Sequence, residues 1–141
     1  MTDWIRLQKP SGSPEDLGPL QLAWLGDAIW EMHQRLRYCK KPGRAKDLHI
    51  AVVSEVKADA QAEAITFLDK YLTDAEKDIV RKGRNRAGRG PRKCDAAIYA
   101  MATGFEALIG WLYLKNPCRL AKLFDQLQEN STHLRNKQNN G

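Results

Sequence analysis

Residues 96–114 read AAIYAMATGFEALIGWLYL, nineteen residues with one charged side chain, Glu106. A run of that length approaches the roughly 20 apolar residues that cross a bilayer. Thr103, two glycines and the central glutamate lower its hydrophobicity, and the rest of the chain reads as a soluble domain. The run therefore predicts a core helix buried on most sides and no membrane span. Ala100, Gly104, Ala107 and Gly110 form a stripe of small residues that suits close approach of another helix. Ile98, Met101, Phe105, Leu108 and Leu112 form a stripe of large ones.

A second apolar run, LAWLGDAIW (22–30), also holds one charged residue, Asp27. A carboxylate in apolar surroundings is costly unless something pairs with it or binds it. From Leu20 to about Tyr38, Leu22, Leu25, Ile29, Met32 and Leu36 recur at three- and four-residue steps, one stripe of a helix. KKPGR (40–44) breaks it. Residues 45–71 predict helix again, as two segments meeting near Val53–Ser54 with Ser54 as N-cap. Thr73-Asp-Ala-Glu76 matches a capping box and predicts a helix ending near Lys82. Asn116-Pro117 supplies a cap and a first-turn proline for a last helix reaching about Glu129. Residues 1–17 read as an irregular segment and 131–141 as a disordered tail. The expectation is an all-α domain of six or seven helices over 18–130.

With 141 residues the chain fits one domain. Cys39, Cys94 and Cys118 form no CxxC pair, and His33, His49 and His133 lack metal-site spacing. A disulfide framework and a zinc site are excluded on that pattern, and a reduced, cytoplasmic setting is expected. The first residues show no apolar signal-peptide region. The net charge is +6, and residues 81–93, RKGRNRAGRGPRK, hold seven Lys/Arg and no acid. The remainder carries 16 basic against 17 acidic residues, so the whole positive excess lies in thirteen positions. Such a segment suits a polyanion, although a charge run taken by itself is more often a solvated, disordered loop. Gly83, Gly88, Gly90 and Pro91 argue against a continuous helix through it. Its glycines lack the GK[ST] ending of a phosphate-cradling loop. No histidine has the setting of a Ser/His/Asp triad, and a glycosidase pair leaves the basic segment unexplained.

Asp27 and Glu106 remain. Either alone reads as a buried acid hydrogen-bonded to a tyrosine, an amide or an arginine. Together they read differently, because two core helices in a small domain usually touch. Neighbouring carboxylates repel unless one is protonated or a cation lies between them. Hard cations such as Mg²⁺ are held by one or two carboxylates with water and substrate phosphate, and can activate water for attack on a phosphodiester. The basic segment then supplies a phosphate-binding surface.

LGDAIWE (25–31) and TGFEALIGWLYL (103–114) resemble the two acidic motifs of the ribonuclease III family, in order, helical setting and separation. The likeness spans about residues 18–130. The short chain and the intervening RKGRN resemble the Mini-III branch, which has the catalytic domain without a double-stranded-RNA-binding domain. The resemblance implies an endonuclease-domain helical bundle, homodimeric, that cuts double-stranded RNA with Mg²⁺, with Mn²⁺ as a substitute. It implies maturation of precursor 23S ribosomal RNA. It assigns Asp27 and Glu106 as catalytic and metal-binding. Lys82, Arg84, Asn85, Arg86, Arg89, Arg92 and Lys93 are the candidate RNA-binding residues. The sequence departs from the larger enzymes at Leu20, Ala23 and Thr103, where those carry further acids. The alternatives are an RNA-binding module on the same fold that does not cut, and a helical protein-interaction adaptor.

Overall fold

The computed structural model describes residues 10–141 and contains no strand among them. Six α-helices form it: α1 (Pro19–Tyr38), α2 (Ala45–Val56), α3 (Ala58–Leu68), α4 (Asp74–Arg86), α5 (Ala96–Lys115) and α6 (Pro117–Asn139). A 3₁₀ turn at Pro14–Asp16 precedes α1, and another at Asp69–Tyr71 joins α3 to α4. The all-α expectation holds. Of the segment 1–17, residues 1–9 lie outside the described residues.

The apolar run becomes α5, and α1, α3 and α4 pack around it. Asp95 caps it, its side chain accepting from the amides of Ala97 and Ile98. Every position from Ala102 to Leu112 is buried except Glu106. This helix is long and apolar enough to span a membrane, and here it is the core of the bundle.

The small-residue stripe admits two helices rather than one. A Cβ on Gly26 of α1 would stand 1.8 Å from the Glu106 carbonyl oxygen, and one on Gly110 would stand 2.1 Å from that of Leu22. Those distances lie far inside any van der Waals contact, so α1 and α5 meet backbone to backbone. Farther along α5, a Cβ on Gly83 of α4 would lie 2.9 Å from the Gly104 Cα, and one on Gly104 would lie 2.7 Å from the Val80 carbonyl oxygen. Gly83, expected to interrupt a helix, is buried within α4 because that close approach requires it. The helix therefore runs past Lys82 to Arg86.

The Thr73–Glu76 capping box forms as expected, with Glu76 Oε1 accepting from the Thr73 amide at 2.9 Å and Thr73 Oγ1 from the Glu76 amide at 3.2 Å. The same carboxylate, only 3% exposed, accepts two bonds from Arg119 at 3.0 and 2.9 Å. Burial raises the Glu76 pKa, but Arg119 and the Thr73 amide outweigh it and hold the group below the usual carboxylate range. The start of α4 is thereby fastened to the start of α6, which Asn116 caps through the Arg119 amide.

Other boundaries depart from the pattern. The break between α2 and α3 falls at Lys57, which adopts extended backbone. Ser54 instead lies within α2 and donates to the Ala51 carbonyl, so it is no cap. Helix α6 continues to Asn139 through the stretch expected to be disordered, since neither proline nor glycine interrupts it before Gly141. The single stripe on α1 divides. Leu22, Ala23, Gly26, Ile29 and Trp30 face the core, whereas Leu20, Trp24, Met32 and Leu36 are exposed.

Gly26→Ala is expected to destabilise the protein by about 3 kcal/mol or to abolish folding, since backbone cannot yield as a side chain can. Gly18→Ala, where nothing lies within 4 Å of the added methyl, is expected to cost under about 1 kcal/mol as a weaker helix cap. Urea denaturation of both variants checks the difference.

Candidate active site

The α1–α5 crossing decides where the two lone carboxylates lie. Asp27 follows the glycine that touches the Glu106 backbone, so the two acids share one cleft of about 390 Å³. Leu20, Ala23 and Trp24 of α1, Val56, Ala58 and Gln61 at the α2–α3 junction, and Tyr99, Ala102 and Thr103 of α5 complete its lining. Among the described residues, no group of three or more His, Cys, Asp or Glu is placed to hold a metal. The site is therefore a pair of carboxylates.

The two acids differ in environment. Asp27 is exposed at the lip of the cleft, contrary to its apolar sequence context. Glu106 is half-buried. Burial pushes its carboxyl up to about 8, and the charge of Asp27 and a hydrogen bond between the two groups act in the same direction. Beside Asp27, the Glu106 carboxyl therefore favours its protonated form near neutral pH. Carboxylate repulsion is relieved here by a proton, and a cation placed between the two oxygens does the same work. Two hard oxygen donors in an open cleft, one deprived of its charge for want of a positive neighbour, fit a divalent ion such as Mg²⁺.

The three positions where the sequence departs from further acids also face this cleft. Ala23 and Leu20 present only hydrocarbon. The Thr103 hydroxyl donates to the Tyr99 carbonyl at 2.9 Å, which commits its proton to the helix. Gln61 is the lining residue that sequence reasoning missed. It is 3% exposed, and its one signal was a polar amide among alanines on α3.

The seven candidate RNA-binding residues do not form one loop. Lys82, Arg84, Asn85 and Arg86 are on α4, and Arg89, Arg92 and Lys93 follow it. Lys82 pairs with Asp78 at 3.0 Å. The Arg84 stem packs beside Gly104, where a Cβ would come within 2.9 Å of its Cγ. Arg89 closes the loop on itself, donating to the Cys94 carbonyl at 3.1 Å. Arg86, Arg92 and Lys93 are exposed and make no ion pair among the described residues.

A helical bundle with a carboxylate pair at a helix crossing, flanked by a basic segment, suits a nuclease catalytic domain. The Ribonuclease III domain matches residues 20–117. The Mini-ribonuclease 3 of Thermosynechococcus vestitus is 43% identical over 136 residues, covering 92% of this chain and 90% of that protein. That of a Synechococcus species is 47% identical over 113 residues, covering 80% and 82%. An X-ray structure of a Fusobacterium nucleatum protein superposes with a TM-score of 0.77 at 30% identity, covering 85% of this chain and 99% of that one. The chain belongs to the ribonuclease III family, in its Mini-ribonuclease 3 branch, and is a hydrolase of the nuclease class.

The raised Glu106 pKa has a signed consequence. A carboxyl whose folded pKa exceeds its ordinary 4.5 binds its proton more tightly in the folded state. It therefore stabilises the fold below about pH 4.5, and that stabilisation is lost as pH rises through about 8. In EDTA, the urea midpoint should fall across this window, and Glu106→Gln should remove that part of the pH dependence.

Proposed function

We propose that this protein is a Mg²⁺-dependent endoribonuclease that cuts double-stranded RNA at the Asp27–Glu106 cleft. Mn²⁺ is the expected substitute. Its biological substrate is the precursor of 23S ribosomal RNA, in the bacterial cytoplasm. The observation that carries this reading is the juxtaposition of the two carboxylates in one cleft, where burial and Asp27 push the Glu106 carboxyl up to about 8. A divalent ion bound there supplies activation of water and stabilisation of the charge that develops on the phosphodiester.

The chain's own residues do the rest. Asp27 and Glu106 offer the oxygen ligands. Arg86, Arg92 and Lys93, whose cationic heads have no ion-pair partner among the described residues, bind backbone phosphates and set register along the duplex. An RNA duplex offers shape, phosphates and 2′-hydroxyls rather than readable base edges, so recognition of this kind is weakly sequence-dependent.

The active form is a homodimer. Leu20, Trp24, Ala28, Met32 and Leu36 recur at four-residue steps on the outer face of α1, with Trp24 77% and Leu36 61% exposed. A continuous exposed apolar stripe marks an interface. It lies on α1 beside Asp27, so pairing two copies there brings their clefts close together. Helix α5 buries its apolar surface within one chain, whereas this stripe on α1 stays exposed.

A second reading, an RNA-binding module that does not cut, draws on Leu20, Ala23 and Thr103, which stand in the cleft where further acids could be. Incubation with a generic RNA duplex in Mg²⁺ and in EDTA separates the two. Cleavage in Mg²⁺ alone is the expected result, and binding without cleavage favours the module.

Asp27→Asn and Glu106→Gln should each lower cleavage by at least about 10²-fold while leaving the fold and the sedimentation behaviour intact. Wild-type protein should sediment at micromolar concentration as about twice the 16.0 kDa chain mass. Replacing Arg86, Arg92 and Lys93 with alanine should weaken RNA binding and flatten its salt dependence by about one log–log unit for each phosphate no longer neutralised. An unchanged slope would place the RNA surface elsewhere.

A further inference from the structure

The loop 87–95 returns from α4 to α5 and passes beside the cleft. Two of its glycines have positive φ, Gly88 at 70° and Gly90 at 73°. They differ in what surrounds them. A Cβ on Gly88 would meet nothing within 4 Å. A Cβ on Gly90 would lie 2.4 to 2.9 Å from three carbons of the Tyr99 ring. The loop backbone at Gly90 therefore rests against that ring. Tyr99 is at the same time a wall of the carboxylate cleft, two helical turns before Glu106 on the same face of α5. Its phenol makes no hydrogen bond among the described residues. One side chain thus touches the basic loop and borders the catalytic cleft.

The neighbouring contacts make this docking firm. Arg89 holds the loop closed through the Cys94 carbonyl. Asp95 anchors the loop's end by capping α5. Between these ties, the segment carrying Arg92 and Lys93 is braced against the domain at Gly90. Backbone phosphates gripped by that segment would stand at a distance from Asp27 and Glu106 that Tyr99 sets.

We propose that Tyr99 is a positioning residue of this nuclease. Its ring docks the basic loop at Gly90 and so registers a loop-bound RNA strand to the Asp27–Glu106 pair. The phenol oxygen is dispensable for this role and the aromatic ring is not. This inference rests on the nuclease reading of the cleft, and the experiment tests the two separately.

The test compares Tyr99→Phe, Tyr99→Ala, Gly90→Ala, Gly88→Ala and the Gly90→Ala/Tyr99→Ala double variant on one RNA duplex in Mg²⁺. Dissociation constants are measured in EDTA and thermal unfolding is recorded in parallel. Gly88→Ala and Gly90→Ala carry similar backbone strain, so only the Tyr99 contact separates them. Gly90→Ala also alters a surface loop, which keeps the test open should Tyr99→Ala fail to fold. Misregistered substrate loses rate more than affinity. Gly90→Ala and Tyr99→Ala should therefore lower kcat by about 10-fold or more, with the dissociation constant changed by less than about 3-fold. Tyr99→Phe and Gly88→Ala should stay within about 3-fold of wild type, and the double variant should be no worse than the worse single one, as coupled sites require. The proposal is overturned if Gly90→Ala matches Gly88→Ala, if Tyr99→Ala folds and keeps wild-type kcat, if Tyr99→Phe fails as badly as Tyr99→Ala, or if the two effects multiply in full. Absence of cleavage by the wild-type protein overturns the nuclease reading instead.

Discussion

The contact between the backbones of α1 and α5 at Gly26 and Gly110 governs this molecule. Side chains of any size at either position would hold the helices apart, and the would-be Cβ distances of 1.8 and 2.1 Å show how little room is left. Close approach maximises dispersion contact along the crossing and excludes water from it. It also brings Asp27, one residue past Gly26, into the same cleft as Glu106. The packing that stabilises the bundle and the geometry that forms the site are a single constraint. A second glycine crossing, Gly83 on Gly104, fixes α4 against the same central helix and carries the start of the basic segment with it.

Electrostatically the cleft is unfinished. Glu106 sits where burial and a neighbouring carboxylate both oppose its charge, and its pKa of about 8 records that conflict. The bundle elsewhere resolves such conflicts. Glu76 is less exposed to solvent, yet two bonds from Arg119 and one from the Thr73 amide hold its carboxyl below the usual range. The contrast separates an acid satisfied within the fold from the acid of the candidate site. Glu76 has its cation built in, whereas Glu106 has only another acid beside it. Stability given up at such a pair is a feature of sites that act on an external partner.

The basic segment shows how charge in a sequence is redistributed by folding. Seven cations fall within thirteen residues, but Lys82 is paired with Asp78, Arg84 lends its stem to packing against Gly104, and Arg89 ties the loop to itself. Arg86, Arg92 and Lys93 keep their charge exposed. Composition counts all seven alike. Whether a given arginine closes a loop or faces solvent depends on partners several residues away.

Much of this was legible in the sequence. Hydrophobic length singled out α5, the small-residue stripe foretold close packing, and the Thr73 and Asn116 caps marked two helix starts, because each is a local rule enforced by neighbours within a turn or two. Asp27 and Glu106 stood out for the same reason, as single charges in apolar runs. The rest was settled only by tertiary structure. Ser54 looked like a cap, yet the chain breaks at Lys57, because capping residues also bond within helices. Gly83 looked like a helix breaker and is a packing surface, since its lack of a side chain serves Gly104 rather than a turn. Asp27 looked buried and is exposed, because the stripe on α1 divides between a core face and an outward apolar face. Gln61 and Tyr99 enter the cleft from different parts of the chain, and no local pattern could have joined them. Sequence fixes what each helix can bury; only the crossing of two backbones decides which side chains meet.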